Sequence, residues 1–234
     1  LVGAEQIIAD FKDRDAIIEL SKKADIITYE IESGDSDVLK SVENNSQVSP
    51  SPETLKIIQD KLLQKQFLSD NNIPVPEFIK IDDFDDLKNG LEKFGFPALL
   101  KARRDAYDGK GNYKIDSEKD VQKAFDYFKG KPLLLEKFIP FEMEVSVIAA
   151  RNTMGQIKSY PLVENIHEKN ILRQTIAPAR VPKQIISEAD QIAEKTMSVL
   201  KGAGIFGIEM FVTKEGHILI NEIAPRVHNS GHHT

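Results

Sequence analysis

The segment Ile205-Phe-Gly-Ile-Glu-Met-Phe-Val-Thr-Lys-Glu-Gly-His-Ile-Leu-Ile-Asn-Glu222 decides how the chain is read. Two runs rich in branched and aromatic residues, 205–212 and 217–222, flank the turn Thr213-Lys-Glu-Gly216, which predicts a β-hairpin. Each run holds one carboxylate among apolar neighbours, Glu209 and Glu222. A short turn can bring both onto one site, where hard oxygen ligands suit Mg²⁺ that also bridges substrate phosphates. Counting symmetrically from Glu215 pairs the two positions only approximately. A salt-bridged pair of surface strands is the plainer reading, and the apolar flanks weaken it.

Upstream of the hairpin, Ile186, Ala189, Ala193, Met197 and Leu200 keep a three-four rhythm that predicts a long helix ending at Gly202. Further back, strands are expected at 78–81, 97–101, 133–136, 143–150 and 157–162, with helices near 84–94 and 118–128. The stretch Ser49-Pro-Ser-Pro52 supplies a helix cap and a first-turn proline and is the best domain boundary. Leu55, Ile58 and Leu62 then line one helical face, closed off by Asn71, Asn72, Pro74 and Pro76. Before the boundary, a helix at 15–24, a short buried strand at 25–30 and a helix near 37–43 read as an incomplete α/β unit. The division is therefore residues 1–52 and 53–234, in an α/β chain without internal repeats.

Composition narrows the function classes. Of 234 residues, 41% are hydrophobic and 29% charged, the balance of an ordinary globular protein rather than a disordered one. No apolar run approaches the length needed to span a bilayer. A net charge of −6 argues against a general binder of nucleic-acid backbones, while leaving room for a local basic pocket. The absence of cysteine excludes disulfides, thiolate metal sites and a cysteine nucleophile, and is compatible with a reducing cytosol. The chain starts without methionine or a targeting segment and stops at Ser230-Gly-His-His-Thr234, inside a motif-like stretch, so a fragment is expected.

Lys101 closes an apolar strand, and Arg103, Arg104, Gly109, Lys110 and Gly111 follow within eleven residues. Glycines let backbone amides approach an anion and fixed cations stabilise it, so this segment has the character of a phosphate lid; a basic surface turn is the alternative. It is not a P-loop, because no Lys-Ser/Thr follows the glycines at the required spacing. Glu136 and Glu144 interrupt strands that otherwise read as buried, a costly placement unless each carboxylate meets donors or a cation. An adenine amino group and ribose hydroxyls would serve, although each residue alone reads more simply as a strand-edge glutamate. The final stretch gathers Arg226, His228, Asn229, His232 and His233. Zinc is disfavoured there because the only nearby carboxylate is Glu222, and an Arg-x-His pair fits an anionic substrate better. A disordered tail is the alternative from His232 onward.

In their order, these segments resemble the ATP-grasp superfamily and, more narrowly, its 5-(carboxyamino)imidazole ribonucleotide synthase family. The most specific stretches are Thr28-Tyr-Glu-Ile-Glu32, Pro50-Ser-Pro52, Gln59-Asp-Lys61, Tyr107-Asp-Gly-Lys-Gly111, Tyr160-Pro-Leu-Val-Glu-Asn-Ile-His167, Asn221-Glu-Ile-Ala-Pro-Arg226 and His228-Asn-Ser-Gly231. The resemblance implies an ATP-grasp domain at 53–234 with a lid at about 78–138, after a partial N-terminal α/β domain, and a C-terminal domain beyond Thr234. It also implies ATP and Mg²⁺ as cofactors. Lys61 and Lys101 would contact phosphates beneath the loop Ala106, Tyr107, Asp108, Gly109, Lys110, Gly111 and Asn112. Ala106 stands where a glycine is common.

By the same resemblance, Glu136, Lys137, Phe138 and Ile139 would read adenine, Glu144 the ribose, and His167 and Asn221 would complete the nucleotide site. Glu209 and Glu222 would hold Mg²⁺, with Glu222 also counted in the nucleotide site. Tyr107, Asp108 and Arg226 would serve the reaction, and Glu30, His228 and Asn229 would join them against the substrate. The implied substrates are 5-aminoimidazole ribonucleotide and bicarbonate, handled by a cytoplasmic homodimer with no nucleic-acid or membrane partner. Two other readings stay open: an ATP-grasp carboxylase or ligase for another acceptor, and a catalytically silent nucleotide-binding module.

Overall fold

The computed structural model describes residues 3–105 and 111–234. In chain order its elements are α1 (Arg14–Ser21), β1 (Ile26–Ile27), α2 (Ser36–Ser41), β2 (Gln47–Val48), α3 (Pro52–Ile58), α4 (Lys61–Asp70), β3 (Phe78–Ile81), α5 (Phe84–Phe94), β4 (Ala98–Ala102), β5 (Asn112–Ile115), α6 (Val121–Tyr127), β6 (Leu133–Lys137), β7 (Phe141–Arg151), β8 (Ile157–Ser159), β9 (Val163–Glu168), β10 (Ile171–Ile176), α7 (Lys183–Val199), β11 (Gly204–Thr213) and β12 (Ile218–Ala224). Single 3-10 turns lie at Glu118–Asp120 and Asn229–Gly231.

Among the described residues, the elements gather around three apolar clusters. Ile27, Leu39, Val42, Val48 and Leu55 form the first, under the short parallel pair β1–β2. The strand expected at 25–30 is thus only two residues long, and Ile26 is exposed. The second lies between α5, α6 and a four-stranded sheet in the order β3-β6-β4-β5. The third and largest lies under a sheet in the order β10-β9-β7-β11-β12, with β8 also paired to β7, and is closed by α7.

The single helix expected across 53–70 is two. Ser51 caps α3 by accepting from the Thr54 amide, with Pro52 in the first turn. Asp60 then takes an extended conformation, and its carboxylate accepts from the amides of Leu62 and Leu63, starting α4 afresh. An aspartate that can cap competes with helix continuation, although the apolar spacing runs straight through it. Lys61 therefore begins a helix rather than sitting within one.

The strand expected at 157–162 is also revised. Only β8 fills its first half, and 163–176 forms a further hairpin, β9–β10, that the polar sequence hid. Lys169 and Asn170, both with positive φ, make its two-residue turn. The helix α7 stops at Val199, short of Gly202.

Parity on the central sheet separates core from site. Val145, Val147 and Ala149 of β7, and Phe206, Ile208, Met210 and Val212 of β11, enter the large core. Glu144 and Ser146, and Gly207 and Glu209, alternate with them and face the other way. On β12, Ile218 and Ile220 point into the core, so strict alternation would send Glu222 there too. A bulge prevents this: Met210 pairs with Ile220 while Glu209 pairs with Glu222, leaving Asn221 as the extra residue. Ile223 returns to the core, and Glu222 lies directly across from Glu209. Symmetric counting from the turn fails because of this one residue.

Candidate functional site

Side chains from five places converge on the site face of the central sheet: the first residues of α4, strands β4 and β6 of the smaller sheet, strands β7, β9, β11 and β12, the segment after β12, and the loop between β1 and α2. The start of α4 is fixed from both sides. Asp60 receives the Arg103 guanidinium through two bonds of 3.0 and 2.7 Å and that of Arg104 at 3.2 Å, and the Lys61 amide donates to the Arg103 carbonyl at 2.9 Å. Lys61 Nζ then reaches Glu222 Oε1 at 2.5 Å. Burial disfavours both charges, yet each partner holds the other charged: the Glu222 carboxyl lies below its ordinary range and the Lys61 ammonium above its own.

A second cationic group is fully enclosed. Glu136, 1% exposed, has Oε2 at 2.7 Å from Lys101 Nζ and Oε1 at 3.1 Å from Lys65 Nζ. Burial raises the Glu136 pKa, but the two lysines outweigh it and hold the carboxyl ionised. Lys65, chiefly through burial, is pushed down to about 8. Its ammonium also donates to the Asn221 carbonyl at 3.3 Å, so one cation ties the smaller sheet to the bulge in β12. Beside it, Gln64 accepts from the Ile223 amide at 3.2 Å and donates to the Ile223 carbonyl at 3.4 Å.

On β7 and β9, Glu144 Oε2 lies 2.7 Å from His167 Nδ1. Hydrogen bonding to that carboxylate raises the imidazole pKa against the opposing pull of burial. On β11, Glu209 Oε1 lies 3.3 Å from His228 Nε2, and Asn221 Nδ2 is 3.5 Å from Glu209 Oε2. Arg226 donates through Nε to Glu32 at 3.0 Å. Burial, with Glu222 adding to it, raises the Glu32 pKa, and Arg226 opposes the rise. A cleft of about 270 Å³ opens here, lined by Glu32, Gly34, Asp35, Lys61, Arg103, Arg104 and Glu222 among others.

Of the residues singled out from sequence, Lys61, Lys101, Glu136, Glu144, His167, Glu209, Asn221, Glu222, Arg226 and His228 occupy this face or its borders. Ala106, Tyr107, Asp108, Gly109 and Lys110 lie outside the described residues. Gly111 accepts from the Ala102 amide, and Asn112 pairs with Lys101 across β4–β5. The Lys137 side chain turns outward to Glu77 at 2.6 Å, and the Phe138 ring stacks beneath the Lys114 ammonium. Asn229 is exposed in the 3-10 turn, and His233 lies 3.1 Å from the Ser230 carbonyl, so the end folds back on itself.

Glu30 is exposed, and the acidic side chain of the first region that meets Arg226 is Glu32. Both belong to one short quoted motif, and no periodicity distinguishes them in a loop. Lys65 was missed because a lysine within an amphipathic helix reads as a surface residue; its place one turn after Lys61, on the same helix face, was the available signal.

The donor set suits Mg²⁺. Among the described residues no group of three or more His, Cys, Asp or Glu side chains could hold a metal. Magnesium, however, is commonly held by one or two carboxylates with substrate phosphates completing its shell, and Glu209 and Glu222 are adjacent on one face.

A family model described as the ATP-grasp domain matches residues 66–234, and one described as the ribonucleotide synthetase preATP-grasp domain matches residues 1–59. The chain is 44% identical over 233 residues to a phosphoribosylaminoimidazole carboxylase of Schizosaccharomyces pombe, covering 99% of this chain and 42% of that protein. It is 38% identical to the N5-carboxyaminoimidazole ribonucleotide synthase of Bacillus subtilis, covering 100% and 61%. Among solved structures it resembles the carboxyaminoimidazole ribonucleotide synthase of Aspergillus clavatus complexed with ATP, with a TM-score of 0.95 at 35% identity over 99% of this chain and 61% of that one. The Aspergillus clavatus enzyme in complex with ADP and 5-aminoimidazole ribonucleotide gives a TM-score of 0.90 at 35% identity, over 96% and 59%. The chain thus spans about two-fifths to three-fifths of these relatives.

Proposed function

The chain belongs to the ATP-grasp family, and from that premise we propose that it carries the ATP site of an enzyme that uses ATP and bicarbonate to carboxylate 5-aminoimidazole ribonucleotide at its exocyclic amine. The observation that carries the reading is the meeting of Lys61 and Glu222, 161 residues apart in sequence, directly beside Glu209 on one sheet face. Similarity to synthases solved with ATP, and with ADP and 5-aminoimidazole ribonucleotide, supports the choice of ligands.

In the reaction, a bicarbonate oxygen attacks the γ-phosphorus of ATP and the bond to the β-phosphate oxygen breaks, giving carboxyphosphate and ADP. The amine nitrogen then bonds to the carboxyl carbon, supplied by carboxyphosphate or by the CO₂ it releases; phosphate leaves and the amine loses a proton. Mg²⁺, when bound, would neutralise charge developing on the phosphates. Lys61 and Lys101 supply fixed positive charge for the same oxygens. When phosphates draw Lys61 away, Glu222 is released to act as a cation ligand beside Glu209.

Because Glu136 is engaged by Lys65 and Lys101, its part in adenine recognition is to hold β6 in place, and the backbone of 137–139 does the reading. Glu144 and His167 stand on the neighbouring strands for the ribose. Arg226 offers a guanidinium to the anionic acceptor, with Glu32 aligning it. Water exclusion matters because carboxyphosphate is labile, and the 106–112 segment is assigned that covering role by resemblance. The same resemblance supports a cytoplasmic homodimer, which sedimentation velocity on the full-length protein would test.

Glu222→Gln in the full-length protein is expected to lower bicarbonate-dependent ATP hydrolysis by about 100-fold or more while leaving the fold intact. Unchanged turnover would exclude Glu222 as a cation ligand. Product analysis with 5-aminoimidazole ribonucleotide against glycinamide ribonucleotide tests the acceptor, and turnover of only the latter would overturn the proposal.

A further inference from the structure

Behind His228 lies a row of buried polar side chains to which the reaction above gives no task. Ser146 is the cross-strand partner of Glu209, and Asn165 is that of Glu144, so both come from the site-facing rows of β7 and β9. Ser230 comes from the 3-10 turn after β12. Ser146 and Ser230 are fully buried, and Asn165 is 5% exposed. Such groups destabilise a fold unless they are hydrogen-bonded, and here they bond to one another.

The row has a direction. Thr175 Oγ1 donates to Asn165 Oδ1 at 3.3 Å, Asn165 Nδ2 donates to Ser146 Oγ at 2.8 Å, and Ser146 Oγ donates to Ser230 Oγ at 2.8 Å. Ser230 Oγ lies 2.9 Å from His228 Nδ1, and the Ser230 amide donates to the same nitrogen at 3.3 Å. A backbone N–H can only donate, which biases Nδ1 toward offering its lone pair, and the shorter bond from the Ser230 hydroxyl, whose own lone pair is taken by Ser146, completes the bias. The one proton of the neutral ring then sits on Nε2, which lies 3.3 Å from Glu209 Oε1. The ring is held sideways as well: a Cβ on Gly207 would stand 2.6 Å from His228 Cβ, so only a bare backbone leaves room for it.

We propose that Ser146, Asn165 and Ser230 are positioning residues that keep His228 in its Nε2–H tautomer, aimed at Glu209. The ring then gives Glu209 one oriented hydrogen bond and leaves the remaining lone pairs of the carboxylate for a cation. Metal-ligating groups are commonly oriented by such outer partners, whose loss costs about 10- to 100-fold in affinity or activity. The consequence for catalysis rests on the reading of Glu209 as a cation ligand; the tautomer does not.

The test is long-range proton–nitrogen NMR on histidine-labelled full-length protein without nucleotide, with the His228 signals assigned by their loss in His228→Gln. The expected wild-type pattern is Nε2–H, and Ser230→Ala and Ser146→Cys, which nearly preserves shape but donates poorly, should shift it toward a mixture. In the same variants kcat should fall about tenfold with the KM for ATP little changed, and Ser146→Thr should restore the tautomer. A wild-type Nδ1–H ring overturns the proposal whatever the variants do, as does a pure Nε2–H ring in both variants. An Nε2–H ring that responds as expected, in a protein that does not carboxylate 5-aminoimidazole ribonucleotide, upholds the positioning role and overturns the assigned reaction.

Discussion

Lys65 touches two partners that belong to different sheets, and its cost and usefulness have the same source. With Lys101 it neutralises a carboxylate that is 1% exposed, and all three charges are buried. Breaking one half of a buried ion pair typically costs about 3–5 kcal/mol, because the surviving charge keeps its desolvation penalty. Lys65→Met leaves Glu136 paired with Lys101, so it is expected to lower stability by less, about 1–3 kcal/mol, seen as a drop in urea midpoint. Adding Glu136→Gln to it leaves the buried Lys101 without its carboxylate and should deepen the loss, a coupling that a double-mutant cycle would measure. His167 gives a pH-dependent counterpart. Its pKa is raised above the ordinary 6.5 by Glu144, so the pair's stabilisation is fully present below about pH 6.5 and disappears as pH rises through the raised value. An NMR titration of His167 should show this elevated midpoint, and Glu144→Gln should bring it down, since burial is then opposed by Glu209 without the Glu144 hydrogen bond.

Among the elements, the hairpin β11–β12 shows how one extra residue decides where a carboxylate points. Removing Asn221 takes out the extra residue itself, so alternation runs unbroken from Ile220 to Glu222, and Glu222 stays across from Glu209. Cation-dependent nucleotide binding is therefore expected to survive the deletion, with a fall in melting temperature from the lost bond between Lys65 and the Asn221 carbonyl, both readable by calorimetry. Gly207→Ala is a gentler probe, placing a methyl group against the His228 side chain; overpacking of this kind costs about 1–3 kcal/mol and should shift the His228 ring signals. Alternating apolar residues made these strands legible from sequence, and their apolar flanks marked Glu209 and Glu222 as unusual. The bulge was not legible, because it depends on Gln64 and Lys65 holding the backbone of a strand more than 150 residues away. The break at Asp60 was hidden by apolar spacing that suits one helix or two. The β9–β10 hairpin was hidden because one of its faces carries site residues such as Asn165 and His167 instead of core residues.

Over the whole molecule, the first region and helix α3 together are seated against the turn after α7 and the segment after β12. Thr54 Oγ1 donates to the Lys201 carbonyl at 2.7 Å and accepts from its amide at 3.2 Å, while Arg226 holds Glu32. Gly202, with φ of 88°, lets Ser51 approach so closely that a Cβ would stand 2.7 Å from its amide nitrogen. Gly202→Ala is expected to unseat this junction by about 1–3 kcal/mol and to make residues 1–52 more sensitive to limited proteolysis than the remainder. The distances along the chain have another implication, for the order in which the protein is made. Glu32, Lys61, Lys65, Lys101 and Glu136 all leave the ribosome before β11 exists, whereas Glu209, Glu222, Arg226 and His228 come at the far end of the sequence. During synthesis Lys61 waits for its partner carboxylate, so any product interrupted before β12 keeps it without the counter-charge that Glu222 provides in the finished fold.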